Sequence, residues 1–343
     1  MTRTPPAVVA VLGAGSWGTT FAKILADAGA AHGTRVKLWA RRDDVATEIN
    51  TTRRNSRYLP DTVLPGNIEC SSDIAEVLDG AELVAVAVPA QSLRPQLASW
   101  KQFLSEDAVV VSLMKGLEVG SDARMSQVIA AELDLPADRI AVVSGPNLAL
   151  EIARQEPTAS VVACPDEDVA AWIAAACTAK YFRPYTNPDV VGVEIGGIVK
   201  NVIALAVGIC EGKQMGDNTK ASVITRGLAE TTRLAVALGG EAETMAGLAG
   251  MGDLIATCSS ALSRNHTAGR LLGQGLTLDE VTGKMNQTAE GIKSAQAVLD
   301  LAGQLGVDMP ITENVVAVLQ GTVSVHDLGP RLLSRDLKSE GKL

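Results

Sequence analysis

A single lysine interrupts an apolar run of the sequence, in the segment GGIVKNVIALA at residues 196–206. Burial of an ammonium group is costly unless the group is paired or has lost its proton. On a helix, the neighbours of Lys200 at three and four residues include Gly196, Gly197 and Ala204. Such small neighbours leave space beside the amine or let another backbone approach it. The pattern predicts that Lys200 faces a cavity as a ligand-binding or catalytic group, with an interdomain salt bridge as the alternative.

Further polar residues follow predicted strands or lie among glycines. Lys115 follows the strand of VVVSLMKGLE and Asn147 follows that of VVSGPNLALEI, and the carboxyl edge of a parallel sheet is where ligands bind. Asp253 lies in LAGMGDLIATCSS, which we predict to be a glycine-hinged loop. The SRN triplet at 263–265 begins a predicted helix, a favourable place for an anion. His266 after it is predicted to be a surface or helix-start residue, and the sequence offers no Ser–His–Asp arrangement and no metal-binding set.

The N-terminal segment AVVAVLGAGSWGTTFAKILADAG contains a G-x-G-x-x-G motif at Gly13, Gly15 and Gly18. The motif follows a predicted strand and opens a predicted helix, which is the context that gives it a mechanism. The first glycine permits the tight turn, the second lets a pyrophosphate approach the backbone, and the third lets the helix pack on the sheet. An ordinary strand–helix turn is the alternative. The motif predicts dinucleotide binding.

Two arginines follow the second predicted strand, RVKLWA, as Arg41 and Arg42. Proteins selective for NAD place an Asp or Glu at this point to hold the ribose 2′-hydroxyl. Asp43 and Asp44 come slightly later and are predicted to cap the next helix. Two cations suit a 2′-phosphate, so we predict NADPH as the cofactor, with NADH as the alternative. The other interpretation is that both arginines are surface residues without a role in binding.

Composition narrows the class of protein. The 343 residues carry a net charge of −9 and are 47% apolar, and an acidic surface argues against nucleic-acid or membrane-surface partners. Five scattered cysteines are expected to be buried in a reducing, cytoplasmic environment. The N-terminus lacks the apolar core of a signal peptide. No membrane span is predicted, because charged and amide side chains interrupt the most apolar stretch, residues 191–210.

The predicted secondary structure changes near residue 190. Before it, short β-branched runs alternate with helical segments, which predicts βαβ units. The predicted strands are 7–13, 35–40, 67–70, 82–89, 108–114, 139–145, 159–164 and 181–185. After it, only helical segments separated by glycine clusters are found. We therefore predict an α/β protein with an N-terminal Rossmann-like doubly wound sheet (residues 1–190) and an all-helical C-terminal domain (residues 191–343).

Local signals predict some of the helix ends and surfaces. Asp73 and Ser121 lie where N-cap residues are expected. Glu230 is spaced for helix-surface pairs with Arg226 at i−4 and Arg233 at i+3. These pairs are predicted to stabilise a solvated face of their helix.

Taken together, the motifs resemble a known family. GAGSWGTTFA, LWARR, MKGLE, SGPNLALEIA, GGIVKNVIALAVGICEG, TRGLAE, LAGMGDLIATC, SRN and MPITE follow in order over roughly residues 7–335. This series resembles bacterial-type NAD(P)-dependent glycerol-3-phosphate dehydrogenase. The resemblance implies reversible reduction of dihydroxyacetone phosphate to sn-glycerol 3-phosphate for phospholipid synthesis, and a homodimer.

The resemblance also implies roles for individual residues. Lys200, in the K-N-V-I-A motif, corresponds to the catalytic proton donor and acceptor. The residues that match substrate contacts are Lys115, Gly145, Asn147, Lys200, Asp253, Ser263, Arg264 and Asn265. The residues that match cofactor contacts are Ser16, Trp17, Arg41, Lys115, Ala149, Arg264 and Glu290, and the motifs above add Gly13, Gly15, Gly18 and Arg42. Two positions depart from the family pattern: Asn147, where many members have Ser or Thr, and Thr288, where many have Val.

Two other functions remain open at this point. Other dehydrogenases that join a Rossmann domain to a helical domain, such as β-hydroxyacid dehydrogenases and ketopantoate reductases, also use a lysine on the first helix of the second domain. The Asp253 segment and the SRN triplet favour a phosphorylated triose over their substrates. A cofactor-sensing regulatory protein that has kept the fold would bind NADPH without turnover, and it leaves the catalytic set of residues without a purpose.

Overall fold

The computed structural model describes residues 3–285, 289–328, 331 and 334, so Thr288 lies outside the described residues. The chain divides into two compact units. The first comprises Met1–Met114 and Ala123–Val190, and the second comprises Lys115–Asp122 and Val191–Leu343. The assignment of functional domains to 1–190 and 191–343 stays a prediction, and the segment 115–122 belongs by its packing with the second unit.

Within the described residues, eight strands form one sheet in the first unit, in the order β3-β2-β1-β4-β5-β6-β7-β8. The strands are β1 Val8–Leu12, β2 Arg35–Trp39, β3 Ile68–Ser71, β4 Leu83–Val86, β5 Val109–Ser112, β6 Ile140–Ser144, β7 Thr158–Ala163 and β8 Phe182–Asn187. Strands β1 to β6 are parallel, with Val9 of β1 opposite Val36 of β2 and Leu83 of β4. This order, with the chain winding outward in both directions from β1, confirms the predicted doubly wound sheet.

Residues of a strand point alternately to the two sides of the sheet. Because both sides are apolar, helices cover both faces. Val9 and Val11 of β1 pack into one core with Phe21, whereas Ala10 and Leu12 pack into a second core. The helices of this unit are α1 Ser16–Gly29, α2 Asp43–Thr52, α3 Ile74–Leu78, α4 Leu93–Trp100, α5 Met125–Leu133, α6 Ala149–Ala153 and α7 Glu167–Ala176. The predicted cap at Asp73 is confirmed, since its carboxylate accepts a hydrogen bond from the Ala75 N–H at 2.8 Å.

The last two strands depart from the parallel pattern that strand–helix alternation predicts. β7 is antiparallel to β6, and β8 is parallel to β7. A parallel crossover must return the chain along the whole length of a strand, usually through a full helix. Here α6 has only five residues, and Gln155, with a φ of 65°, follows it in the left-handed region. The chain therefore turns back beside β6 instead of crossing over the sheet.

The second unit is built around one long buried helix. Its helices are α8 Val190–Gly212, α9 Asp217–Ala237, α10 Ala242–Ala246, α11 Asp253–Ser259, α12 Arg264–Gly273, α13 Leu278–Lys284, α14 Glu290–Gln304 and α15 Pro310–Leu319. Among the described residues, α8 alone is long and apolar enough to cross a membrane, but 83% of its most apolar window is buried inside the protein. α8 is therefore a core helix of this unit.

α8 crosses α12 at very short range. A Cβ atom at Gly208 would lie 2.2 Å from the carbonyl oxygen of His266, and one at Gly212 would lie 2.2 Å from that of Arg270. Cβ atoms at Gly269 and Gly273 of α12 would in turn meet carbonyl oxygens of α8, at 2.1 and 2.4 Å. Glycines spaced by four residues on both helices thus allow backbone-to-backbone packing.

The five cysteines are all buried and free, as predicted.

Two local predictions are wrong. Ser121 does not cap α5, which begins at Met125 with Arg124 as its N-cap residue. The Ser121 hydroxyl instead donates to the Glu118 carboxylate at 2.5 Å. The predicted glycine-hinged loop around Asp253 is a π-helical turn, Leu248–Gly252, that leads directly into α11. Gly250 serves close packing here, because a Cβ atom on it would lie 2.2 Å from the carbonyl oxygen of Met245.

The predicted solvated pairs of Glu230 are also wrong, because the side chain is 0% exposed. Its carboxylate accepts hydrogen bonds from the N–H groups of Ile311 and Thr312 and from the Thr312 hydroxyl, at 3.0, 3.1 and 3.1 Å. Glu230 thus satisfies the first N–H groups of α15, where a negative charge is favoured. Helical spacing could not reveal that α15 covers this face of α9. Burial raises the pKa of Glu230 to about 7.

Candidate active site

The glycine turn of the first unit has the geometry that its motif predicts. Gly13 has a φ of +128°, and a Cβ atom on it would lie 2.5 Å from the carbonyl oxygen of Ala87. A Cβ atom at Gly18 would lie 1.9 Å from the carbonyl oxygen of Gly13, so the helix can approach the turn only without a side chain. Nothing lies within 4 Å of a Cβ at Gly15. Gly15 is the N-cap of α1 and provides no side-chain cap, which leaves open space beside free N–H groups for a pyrophosphate.

Buried polar atoms at the carboxyl ends of β1 and β6 have no hydrogen-bond partner among the described residues. They are Nε1 of Trp17, Oγ of Ser144 and both amide atoms of Asn147. Buried polar atoms are nearly always paired, so orphans of this kind indicate a missing ligand or water. Gly145 between them has a φ of +141° and packs against Ser160. Ser16 is the first residue of α1, and the carbonyl oxygen of Ala149 accepts a bond from Thr20. The residues of this unit therefore fit a bound dinucleotide.

The two predicted phosphate-binding arginines differ in their surroundings. Arg42 is held by Asp44, which accepts hydrogen bonds from both Nε, at 2.8 Å, and Nη2. The guanidinium lowers the pKa of the Asp44 carboxyl through this hydrogen bond. Arg41 is exposed, and no ion pair of its side chain is found in the described part of the chain. Asp43 and Asp44 lie in the first turn of α2, but the prediction that they cap this helix is wrong, because the N-cap residue is Arg42 and no side-chain cap hydrogen bond is formed.

The second unit brings Lys200 together with Asp253, Lys115 and Thr257. Nζ of Lys200 donates to Oδ1 of Asp253 at 2.5 Å and to Oγ1 of Thr257 at 2.6 Å. Nζ of Lys115 donates to the other carboxylate oxygen, Oδ2, at 2.6 Å. Lys200 is 7% exposed and Asp253 is 1% exposed. One buried carboxylate thus bridges two ammonium groups. Lys200 is not paired with Glu194, although Glu194 is closer to it in the sequence.

The electrostatics of this cluster set the charge of Lys200. Burial lowers the pKa of Lys200 to about 8, the nearby charge of Asp253 opposes this shift, and the charge of Lys115 adds to it. An amine with a pKa near 8 exchanges protons readily at neutral pH, which is the requirement for general acid–base catalysis. Perturbed lysines in such clusters are characteristic of functional sites.

Thr257 is the member of the cluster that sequence reasoning missed. Its hydroxyl accepts from Lys200 and lies 3.3 Å from Oδ1 of Asp253, to which it donates. Thr257 is four residues after Asp253, so both side chains lie on the same face of α11. The spacing would have identified Thr257 if LAGMGDLIATCSS had been interpreted as a helix.

The predicted anion-binding triplet begins α12. Ser263 is the N-cap, and its Oγ accepts from the N–H of His266 at 3.2 Å, while Arg264 is the exposed first residue. The buried Asn265 amide donates to Oδ1 of Asn201 at 2.9 Å and accepts from the N–H of Gly291 at 2.9 Å. The triplet therefore joins α12 to α8 and to the start of α14.

His266 lies in the first turn of α12, and Glu290 lies at the start of α14. His266 begins the helix as expected, but it is 5% exposed and lies 2.8 Å from the Glu211 carboxylate, so it is not a surface residue. Glu290 is the first residue of α14, and burial raises the pKa of its carboxyl while Arg264, Lys115 and Lys200 oppose the shift. In the described residues, no group of three His, Cys, Asp or Glu side chains is placed to hold a metal ion.

The fold and these side chains define a class of protein. A doubly wound sheet with a glycine turn and orphaned polar atoms fits a dinucleotide. A buried lysine with a lowered pKa, paired with an aspartate in a helical unit, fits proton transfer. Together they are the features of a dinucleotide-dependent oxidoreductase.

Comparison with known proteins identifies the family. Residues 8–170 match the N-terminal model and residues 189–329 the C-terminal model of NAD-dependent glycerol-3-phosphate dehydrogenase. Over 337 residues the chain is 57% identical to the glycerol-3-phosphate dehydrogenase (NAD(P)+) of Streptomyces griseus, covering 98% of this chain and 99% of that protein. The enzyme of the same name from Thermobifida fusca is 55% identical over 97% of this chain and 98% of that protein.

A solved structure agrees with these matches. The crystal structure of glycerol-3-phosphate dehydrogenase from Coxiella burnetii has a TM-score of 0.89 and 35% identity, covering 96% of this chain and 99% of that one. The chain belongs to the NAD-dependent glycerol-3-phosphate dehydrogenase family. The resemblance of its motifs to that family is thereby confirmed, and the cofactor of the family is a nicotinamide dinucleotide.

Proposed function

We propose that this protein catalyses the reversible reduction of dihydroxyacetone phosphate to sn-glycerol 3-phosphate with NAD(P)H. The observation that carries the proposal is the buried Lys200 amine, 2.5 Å from Asp253 and 2.6 Å from Thr257, in a chain of this family. The same activity supplies the glycerol backbone of phospholipids. We also propose a cytoplasmic location, which the five free cysteines support.

In the proposed reaction Lys200 handles the proton. A bound reduced nicotinamide supplies the hydride for the carbonyl carbon of the substrate. Negative charge develops on the carbonyl oxygen, and the ammonium of Lys200 stabilises this charge and donates a proton to the oxygen. In the reverse direction the neutral amine accepts the hydroxyl proton. A pKa of about 8 makes both forms accessible near neutral pH.

Asp253 and Thr257 have a supporting role in this proposal. They accept two hydrogen bonds from Nζ of Lys200, which leaves one of its three N–H bonds to point at the substrate oxygen. Lys115, on the other carboxylate oxygen of Asp253, adds positive charge for a substrate that carries a phosphate. This arrangement orients Lys200 before the substrate arrives.

The start of α12 is the proposed phosphate site. Arg264 is exposed there, and the side chain of Ser263 occupies only one of the first N–H groups of the helix. Among the described contacts, the Asn265 amide uses one of its two N–H bonds, which leaves the second for a phosphate oxygen. Gly145 and Asn147 are proposed substrate contacts from the first unit, supported by the orphaned Asn147 amide.

For the cofactor, we propose that NADPH is preferred to NADH. Gly13, Gly15, Gly18, Ser16 and Trp17 would hold the pyrophosphate region, with Ala149 and Glu290 as further contacts. Arg41 is the proposed ligand of the 2′-phosphate, because it is exposed, whereas Arg42 is already paired with Asp44.

The cofactor proposal is tested by replacing one arginine at a time. Arg41→Ser should raise the KM for NADPH about tenfold or more through loss of a charge-assisted hydrogen bond, with little effect on the KM for NADH. Arg42→Ser is the matched control and should change neither KM by more than about twofold, since that guanidinium is held by Asp44. Equal effects of Arg41→Ser on both cofactors would contradict the assignment.

The activity itself is tested by NADPH oxidation with dihydroxyacetone phosphate as the added substrate. Ketopantoate and a 3-oxo acid in parallel assays distinguish the other dehydrogenases, and NADPH binding without turnover of any substrate would indicate a sensor. Lys200→Ala should lower kcat at least about 100-fold, the size of a general acid–base contribution, with NADPH affinity unchanged. Near-normal turnover of this variant would remove Lys200 from the mechanism.

We also propose a homodimer, which a molar-mass measurement in solution tests.

A further inference from the structure

Gly196 lies on α8 one turn before Lys200, at a place where another stretch of backbone packs against the helix. A Cβ atom at Gly196 would lie 2.6 Å from the carbonyl oxygen of Ala249 and 3.4 Å from Cα of Gly250. Ordinary van der Waals contact begins at 3.4 Å. The atoms in the way belong to backbone and cannot rotate aside as a side chain would. A β-carbon at Gly196 must therefore displace one of the two elements.

The stretch that touches Gly196 is the π-helical turn Leu248–Gly252, and Asp253 follows it directly as the first residue of α11. The turn is also held against α10, because a Cβ atom at Gly250 would lie 2.2 Å from the carbonyl oxygen of Met245. Ala249 and Met245 are each 1% exposed. Single π-helical turns within α-helical regions occur frequently at functional sites. The contact at Gly196 therefore constrains where Asp253 is presented to α8.

The hydrogen bonds of Lys200 leave little tolerance for movement. Nζ lies 2.5 Å from Oδ1 of Asp253 in a buried environment. Bringing the 2.6 Å contact at Gly196 to 3.4 Å requires a separation of about 0.8 Å between α8 and the turn. A movement of this size would take the ion pair beyond the usual hydrogen-bond range of about 2.7–3.2 Å. Side-chain adjustment is limited, because the surroundings are closely packed.

We propose that Gly196 is a positioning residue for the reaction, since its lack of a side chain brings the π-helical turn close enough for Asp253 to hold Lys200. This inference rests on the proposed catalytic function of Lys200. Gly196 acts through the turn on Asp253, so its effect differs from that of a residue that only stabilises the fold. The difference is visible in the pH dependence of kcat.

The test compares Gly196→Ala with Gly212→Ala. Gly212 lies on the same helix and has an even tighter backbone contact, 2.2 Å from the carbonyl oxygen of Arg270, but it is twelve residues beyond Lys200. Each variant is assayed for melting temperature, for the KM of dihydroxyacetone phosphate, and for kcat as a function of pH. Lys200→Ala is measured alongside. The double variant Gly196→Ala/Asp253→Glu is also included. Its longer glutamate side chain should reach Lys200 although the turn has moved away from α8.

We expect Gly196→Ala to lower kcat about 10- to 100-fold, as a misplacement of about 1 Å does. The decline of kcat at alkaline pH should begin at lower pH, because a more distant Asp253 supports the ammonium form of Lys200 less. Gly212→Ala should lower the melting temperature and keep kcat within about twofold, since it contacts the last turn of α12 at Arg270 and Gly273, at the opposite end from the proposed phosphate site. The double variant should recover part of the activity.

The remaining outcomes decide against the proposal. If Gly196→Ala keeps the kcat and pH dependence of the unmodified protein, or if the glutamate brings no recovery, Gly196 does not position Asp253. If Gly196→Ala fails to fold while Gly212→Ala folds, its role is packing alone. If Lys200→Ala turns over normally, the proposed catalytic function fails, whatever Gly196 does.

Discussion

Replacing Asp253 with asparagine tests how the proposed proton donor keeps its charge. Asp253 is 1% exposed, and its carboxylate is paired with both Lys200 and Lys115. Burial lowers the pKa of Lys200 to about 8, and the charge of Asp253 opposes that shift. Asparagine keeps the size of the side chain and removes its charge. The variant therefore isolates the electrostatic part of the contact.

The expected size follows from the separation of the charges. An opposite charge this close shifts a pKa by about 1–3 units, so in Asp253→Asn the pKa of Lys200 should fall to between about 5 and 7. At pH 7 the protonated fraction of Lys200 then drops from about nine-tenths to between about one-half and one-hundredth. We expect kcat for reduction of dihydroxyacetone phosphate at pH 7 to fall about 2- to 100-fold and to recover as the pH is lowered toward 5.

The assay follows NADPH absorbance at saturating dihydroxyacetone phosphate between about pH 5 and pH 9, a window that spans both pKa values. Asp217→Asn is the matched control, because it removes the charge of an exposed carboxylate that is paired with Lys220 at 2.7 Å. The control should leave the pH dependence of kcat unchanged. A loss in Asp253→Asn that is equal at every pH, with no recovery under acidic conditions, would refute the assignment of Asp253 as the group that sets the charge of Lys200.

Four further predictions concern separate parts of the molecule. In the unmodified protein, kcat for reduction should fall as the pH rises above about 8 while kcat for the reverse reaction rises, because the two directions need opposite forms of Lys200; parallel profiles would contradict this. Thr257→Val should lower kcat about 3- to 10-fold through loss of one hydrogen bond to Nζ, whereas unchanged kcat would exclude the hydroxyl from the mechanism. Trp17→Phe should raise the KM for NADPH about 2- to 10-fold at constant kcat, through loss of a hydrogen bond from Nε1 to the cofactor, and an unchanged KM would exclude this contact. The pKa of Glu230 is raised to about 7, so the folded state holds a proton that the unfolded chain releases near pH 4.5, and stability should decline as the pH rises from about 4.5 to 7. Glu230→Gln should flatten this decline in urea unfolding, and an unchanged slope would show that another group causes it.

Much of the first unit could be predicted from the sequence because its signals are local. Buried parallel strands appear as short β-branched runs, and G-x-G-x-x-G specifies a turn through contacts among neighbouring residues. The resemblance to a dehydrogenase family is confirmed by the family models and the close relatives. The reversed direction of β7 was not predictable in the same way, because it depends on how the connection between β6 and β7 packs.

Other features depend on residues that are distant in the sequence. The glycine-rich segment before Asp253 predicts a loop, but it forms a π-helical turn whose backbone at Ala249 and Gly250 packs against Gly196 of α8, more than 50 residues earlier. Glu230 had suitable spacing for surface ion pairs, yet α15 covers it. In both cases the local pattern is compatible with two structures, and only the packing partner distinguishes them.

The sequence by itself determined the alternation of strands and helices, the glycine turn, and the presence of an isolated lysine among small residues. These depend on backbone preferences and on the periodicity of apolar side chains, which act over a few residues. Only the tertiary structure decided that Asp253, 53 residues beyond Lys200, is its partner, that Thr257 joins them, and that Glu230 is buried. The reason is that the pairing and the pKa of a buried charge depend on the groups that the folded chain brings to within a few ångströms of it, and no spacing along the chain specifies that distance.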